Sequence, residues 1–156
     1  MVRPAEATDA AVLARMLHDF NLEFGDPSPG VAFLVSRVRE LITSGSKHYL
    51  LAGAPGVEGP AVDGFAQVDF RATVWSRGPV ALIEELYVRP PIRGKGLGKE
   101  LMNAVLELAR NGGAAMVEVV TGEDDTAARG LYESSGFTNH VEGEDSTSAL
   151  YYELEL

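Results

Sequence analysis

The 156-residue chain carries 23 acidic residues against 13 Lys and Arg, a formal net charge of −10, and no cysteine. Disulfides, thiolate metal sites and a cysteine nucleophile are therefore excluded, and nucleic acid is repelled wherever no local basic stripe offsets the charge. With 46% hydrophobic and 23% charged residues, and no apolar run of about 18 residues, one globular domain over 1–156 without a transmembrane helix is expected.

Residues 1–6 lack the basic-then-apolar order of a secretory leader, which predicts a cytoplasmic location. Residues 1–5 read as a short strand, and Thr8 or Asp9 offers an N-cap. Val12, Leu13, Met16, Leu17 and Phe20 then make one helical face, which breaks at Gly25-Asp26-Pro27-Ser28-Pro29-Gly30. A second helix over 31–44 shows Phe33, Leu34, Val38, Leu41 and Ile42 and stops at Gly45. The period then changes to that of strands, predicted at 49–52, 62–74 and 80–88, with a Gly- and Pro-rich hairpin loop at 55–60. Leu97, Leu101, Ala104, Val105, Leu108 and Ala109 form a helical stripe closed by Gly112-Gly113. A buried strand at 115–121, a short helix at 126–135 and closing strands at 137–141 and 149–156 complete the chain, the acidic stretch 142–148 joining the last two. The order β-α-α-β-β-β-α-β-α-β-β predicts an α/β sheet of mixed direction with helices on both faces.

The segment 89–99, Arg-Pro-Pro-Ile-Arg-Gly-Lys-Gly-Leu-Gly-Lys, lies where a strand must turn into a helix. Glycine tolerates φ > 0, so successive N–H groups can converge on one anion, and the following helix adds its positive N-terminal end. Arg89, Arg93, Lys95 and Lys99 fall here, the one basic cluster of an acidic chain. A polyanionic small molecule such as a pyrophosphate cofactor fits this pattern. A dinucleotide fold does not, since the spacing is not Gly-x-Gly-x-x-Gly. ATP is also disfavoured, because no Ser or Thr follows Lys95 to hold Mg²⁺.

Two patterns carry a resemblance to a known family. Arg93-Gly94-Lys95-Gly96-Leu97-Gly98, preceded by Tyr87-Val88-Arg89-Pro90, follows [Arg/Gln]-x-x-Gly-x-[Gly/Ala]. Ala128-Arg129-Gly130-Leu131-Tyr132-Glu133-Ser134-Ser135-Gly136-Phe137 follows Ala-x-x-Leu-Tyr-x-x-x-Gly-Phe. Together and in this order they resemble the GNAT N-acetyltransferases, and the element order resembles that family over nearly the whole chain. The resemblance implies the GNAT acyl-CoA N-acyltransferase fold, a mixed, mostly antiparallel sheet of about seven strands flanked by about four helices. It implies acetyl-CoA as co-substrate, no metal, and a homodimer.

Residue by residue, the resemblance implies that backbone amides of Arg93, Gly94, Lys95, Gly96, Leu97 and Gly98 bind the pyrophosphate of coenzyme A, with Lys99 and Arg89 as accessory contacts. Leu86, Tyr87 and Val88 would splay from the neighbouring strand and pair with the pantetheine arm. The Leu86 N–H would polarise the thioester carbonyl, and Tyr132 would protonate the leaving thiolate. Ala128 and Asp125 would flank the pantetheine, although an ionised Asp cannot donate as the Asn of many members does.

Glu84 and Glu85 stand inside an apolar strand, where charge is costly unless used or paired. Alternation places them on opposite faces of the sheet. An acid pair followed by an aromatic residue and Val is similar to polyamine acetyltransferases. That likeness implies Glu84 as the base for the amine and Glu85 as a substrate-binding acid. The acceptor side is expected from Asn21, Glu23, Phe24 and Asp26, with Phe70, Arg71 and Trp75 as further candidates; a solvated loop is the competing reading, and for Trp75 a dimer contact. His18, His48 and His140 show no metal-ligand spacing. The leading function is acetyl transfer from acetyl-CoA to a small-molecule primary amine in a ternary complex. A protein or peptide amine acetyltransferase and a non-catalytic acyl-CoA-binding module are the alternatives.

Overall fold

The structure is a computed structural model that describes residues 1–53, 61–139 and 152–156. The chain divides into two compact units, Met1–Val120 and Thr121–Leu156.

In the first unit, β1 (Val2–Pro4) leads through a 3-10 turn at Ala7–Asp9 into α1 (Ala10–Glu23) and α2 (Val31–Ser44). Asp9 stands at the start of α1 as expected, but its carboxylate makes no cap bond to α1; it accepts from Arg3 and, in a capping box of the 3-10 turn, from the Glu6 N–H. β2 (His48–Ala52), β3 (Gly64–Arg71), β4 (Val80–Val88), a 3-10 turn at Pro90–Ile92, α3 (Leu97–Asn111) and β5 (Met116–Val119) follow. The strands form one sheet in the order β1-β2-β3-β4-β5; the first three pairings are antiparallel and β4–β5 is parallel. A parallel neighbour requires a crossover, which α3 supplies.

Leu13 and Met16 of α1, Val38 of α2 and Tyr49, Leu51, Phe65 and Tyr87 of the sheet form one core cluster. Val12, Leu17, Phe20, Val35, Leu41 and Ile42 pack against it. Phe33 does not join them: it is 58% exposed, because Val35, Val38 and Ile42 define the buried stripe of α2 and position 33 lies off it. Phe65 is fully buried near the middle of the sheet, and such a side chain contributes roughly 1.5–3 kcal/mol by leaving water. On the opposite face α3 buries Leu97, Leu101, Met102, Val105 and Ala109. The ends of the helices follow the glycines: Gly45, at φ 69°, closes α2 in the left-handed conformation.

The second unit contains α4 (Thr126–Ser134). Among the described residues the sheet has five strands against about seven expected. Residues 137–139 and 152–156 are not in strands, and the rest of both predicted closing strands, with His140 and the 142–148 connection, lies outside the described residues. The predicted loop at 55–60 lies outside them too.

Candidate active site

The decisive local feature is in β4. Gln67 pairs with Glu85, but Val68 pairs with Ile83, so Glu84 is an extra residue in β4, a β-bulge. A bulge breaks the strict alternation of faces. Glu85, Gln67 and Tyr49 are register partners and share the α1–α2 face of the sheet. Glu84 reaches that same face, where its carboxylate accepts from Lys47 Nζ at 2.7 Å and from the Gln67 amide. The expectation that the two acids face opposite sides is therefore corrected: the bulge turns both to one side.

Their surroundings differ. Glu84 is ion-paired with Lys47, which also contacts Asp69 Oδ2 at 3.0 Å; these side chains are only 21–29% exposed. Burial opposes the Lys47 charge, yet its hydrogen bonds to Glu84 and Asp69 prevail and raise its pKa. Glu85 is pushed up to about 7, first by burial, then by the charges of Glu84 and Asp26. Nearby, Tyr49 is pushed up to about 12, chiefly by burial.

β4 also changes neighbours along its length. Its ladder with β5 covers Val80↔Met116 to Ile83↔Val119 and goes no further. Among the described residues, 84–88 keep β3 as their one strand neighbour. The Arg89 N–H donates to Asp63 O of the chain leading into β3, at 2.8 Å. Counting back by twos, Tyr87 and Glu85 turn their backbone groups to β3, while Leu86 and Val88 turn theirs to the open edge. The Val88 oxygen accepts there from Arg93 Nε at 2.9 Å.

The glycine segment then makes the turn its composition predicts. Gly94 has φ 77° and Gly96 φ 89°, and α3 starts at Leu97 with no side chain capping it. A residue with Cβ is strained at either φ, so the path requires glycine. The first-turn N–H groups of α3 thus follow a bend flanked by exposed Lys95 and Lys99, an arrangement suited to a phosphate. Arg93 has another partner: its guanidinium binds Glu23 bidentately at 2.6 and 2.9 Å and lies 5.6 Å from the Tyr87 ring centre. Arg89 contacts Asp19 at 3.7 Å. Both arginines are thereby tied to the end of α1.

The loop from α1 to α2 is braced from within. Asn21 donates to Pro27 O at 3.0 Å, the Asp26 N–H to Asn21 O at 2.8 Å, and the His18 ring shares a 2.7 Å contact with Ser28 Oγ. Phe24 packs edge-on against Phe20, which in turn contacts Tyr87. Asn21, Glu23, Phe24 and Asp26 therefore lie on the same side of the sheet as Glu85. Trp75 does not gather with them. It is 91% exposed in the β3–β4 connection, at the other end of β4, roughly 20 Å from Leu86 by strand rise. Phe70 packs on His48, and Arg71 pairs with Glu118 at 3.1 Å. Lys47 and Gln67, which organise the acid pair, went unnoticed in the sequence. Lys47 immediately precedes a strand and is 37 residues from its partner Glu84.

In the second unit Asp125 N-caps α4, its Oδ1 accepting the Ala128 N–H at 2.9 Å. Tyr132 is half-buried and its ring packs 5.9 Å from Phe137 after the turn at Gly136, φ 91°. This explains the spacing of Leu-Tyr-x-x-x-Gly-Phe locally: glycine closes the helix and phenylalanine folds back on the tyrosine.

Residues 14–137 match the Acetyltransferase (GNAT) family. The chain belongs to that family. A crystal structure from Arthrobacter sp. FB24, described as that of a putative acetyltransferase, is 44% identical over all of this chain and 96% of its own, with a TM-score of 0.83. The Bacillus subtilis N-acetyltransferase YhfO, uncharacterised, is 27% identical over 99% of this chain and 97% of its own length. Thialysine N-epsilon-acetyltransferase of Bos taurus is 31% identical over 62% of this chain, and the match spans 59% of that enzyme. The GNAT fold is also that of AAC(6')-Iy in complex with a CoA bisubstrate analogue, with a TM-score of 0.76 at 19% identity. Among the described residues no helix is long and apolar enough to cross a membrane.

Proposed function

We propose that this GNAT chain transfers the acetyl group of acetyl-CoA to a primary amine of a small molecule, by direct attack in a ternary complex, as one catalytic domain over 1–156. The observation that carries the reading is the open half of β4, which presents the Leu86 and Val88 backbone at a free edge directly before the glycine turn into α3. The residues present fit acetyl-CoA: amides at Gly94, Gly96, Leu97 and Gly98 for pyrophosphate, Lys95 and Lys99 beside them, and the backbone groups of Leu86 and the Val88 N–H for an amide-bearing arm, while Tyr87, expected to pair there too, turns its backbone to β3.

Acetyl-CoA supplies an activated acetyl thioester. Leu86 donates its N–H to the acyl oxygen, where negative charge develops. Glu85, rather than Glu84, takes the proton that the attacking amine must lose. A base whose pKa lies near the working pH is the more effective, whereas Glu84 is engaged by two donors. Tyr132 donates a proton to the leaving thiolate; its role rests on the family pattern. The acid-lined face bearing Glu85 and Asp26 favours a cationic amine, in keeping with a thialysine enzyme among the relatives. A homodimer is proposed on the resemblance alone, and light scattering reads it.

The first test is thermal stability with acetyl-CoA, coenzyme A and ATP. A ligand at about 100 times its Kd stabilises by about 2.7 kcal/mol, a shift of several degrees. Both coenzyme A forms raise the midpoint and ATP does not; no shift from either at millimolar concentration overturns the reading. Thiol release across an amine panel then identifies the acceptor.

A further inference from the structure

We propose that Lys47 is a positioning residue that divides the labour between the two glutamates of β4, pinning Glu84 as a permanent acceptor so that Glu85 alone exchanges the proton. The proposal rests on the acetyltransferase reading above. Its observations are the bulge that turns both carboxylates to one face and the half-buried Lys47 bridge from Glu84 to Asp69.

Two adjacent carboxylates on one face compete for the same proton unless something distinguishes them. Here the distinction comes from donors. Lys47 Nζ lies 2.7 Å from Glu84 Oε1 and the Gln67 amide donates to Glu84 Oε2, so both oxygens of that carboxylate act as acceptors. Glu85, its neighbour and the register partner of Gln67, has no ion pair among the described residues. The charged and titratable groups around Glu85 come from every element packed there: Glu84 on β4, Asp69 on β3, Lys47 and Tyr49 at β2, Arg37 acting on Tyr49 from α2, and Asp26 from the α1–α2 loop. Lys47 is the cation that binds Glu84 directly, with Asp69 as its second partner. Without it, Glu84 is an uncompensated negative charge beside Glu85. With it, the Glu84 charge is held in one place, where it raises the proton affinity of Glu85 in a defined way.

The test follows the Glu85 side-chain carboxyl by carbon-13 NMR of glutamate-labelled protein through pH 4–9. The comparison covers wild type, Lys47→Met, Lys47→Arg and Glu84→Gln. Acetyl transfer to thialysine and 1,4-diaminobutane is followed by thiol release across the same range. Removing the ammonium moves the Glu85 midpoint upward in Lys47→Met and broadens it, as coupled titration requires. Removing the like charge moves it downward in Glu84→Gln, and Lys47→Arg, which keeps the cation, stays near wild type. Turnover of Lys47→Met falls about tenfold at pH 7 and recovers toward pH 9, where Glu85 is deprotonated again, with KM for acetyl-CoA unchanged. A purely structural lysine gives a loss that pH does not repair. An unmoved or lowered Glu85 midpoint in Lys47→Met overturns the positioning role, whichever way the transfer assay falls. Should Lys47→Met fail to fold, an unmoved or raised Glu85 midpoint in Glu84→Gln overturns it. Failure of wild type to acetylate any amine, with an intact coupled titration, overturns the acetyltransferase reading instead.

Discussion

The two halves of β4 belong to one strand and do opposite work. Residues 80–83 are paired on both sides, by β3 and β5, and three of the four are buried. Residues 84–88 start at a bulge, keep one strand neighbour among the described residues, and carry two carboxylates and a backbone edge that no described strand pairs. The first half is held by hydrogen bonds and apolar area. The second gives up a ladder's worth of backbone pairing, which a folded chain tolerates only where water or a ligand can satisfy the exposed groups. A sheet can therefore build a binding edge without a separate element, by ending one ladder early and inserting one residue into the other.

The comparison breaks first at Glu85. Glu85→Gln lowers kcat/KM by about 100-fold or more, read as thiol release from acetyl-CoA, without loss of coenzyme A-induced stabilisation. An active Gln variant returns the base to Glu84. In the paired half, Ile83→Ala costs about 2–4 kcal/mol in denaturant unfolding and leaves KM for acetyl-CoA unchanged per folded molecule, since Ile83 is 3% exposed and off the free edge.

A smaller effect separates the halves by pH. The folded-state pKa of Glu85, about 7, lies above its unfolded value, so the folded protein binds the extra proton between about pH 4.5 and 7. The stability this confers is present below the unfolded value and lost as pH rises through 7. Glu85→Gln is thus more stable than wild type at pH 8, by about 1–2 kcal/mol once solvent screening is allowed for, and the gain falls severalfold at pH 5. Thermal unfolding at the two pH values reads it; an equal difference at both would place the effect in packing. The smallest change is at Glu23→Gln. Its bidentate pair with Arg93 is partly exposed, so the loss is about 0.2–1 kcal/mol in low salt and disappears in about 1 M salt.

Much of the architecture was legible along the chain. α2 runs over the predicted 31–44 with Phe33 off its buried stripe, and α1 and α3 carry the predicted apolar faces, with Met102 as an addition to α3. Local periodicity and glycine punctuation suffice for this, because a helix face is decided by residues three and four apart. The glycine turn was legible for the same reason: positive φ at Gly94 and Gly96 is a local demand that only one residue type meets without strain. Trp75 stands at the far end of β4 from the acceptor loop, a position the sequence does not signal, since a lone aromatic residue between strands is compatible with either end of the sheet.

The sequence by itself determined the order of elements, the anion-suited junction before α3 and the two motifs that carry the family. Tertiary structure alone decided which way Glu84 and Glu85 face and which of them holds a salt bridge. Their facing depends on a register shift against β3, and the pairing on Lys47, 37 residues upstream. A bulge belongs to two strands at once, so the pattern of either strand read alone cannot contain it.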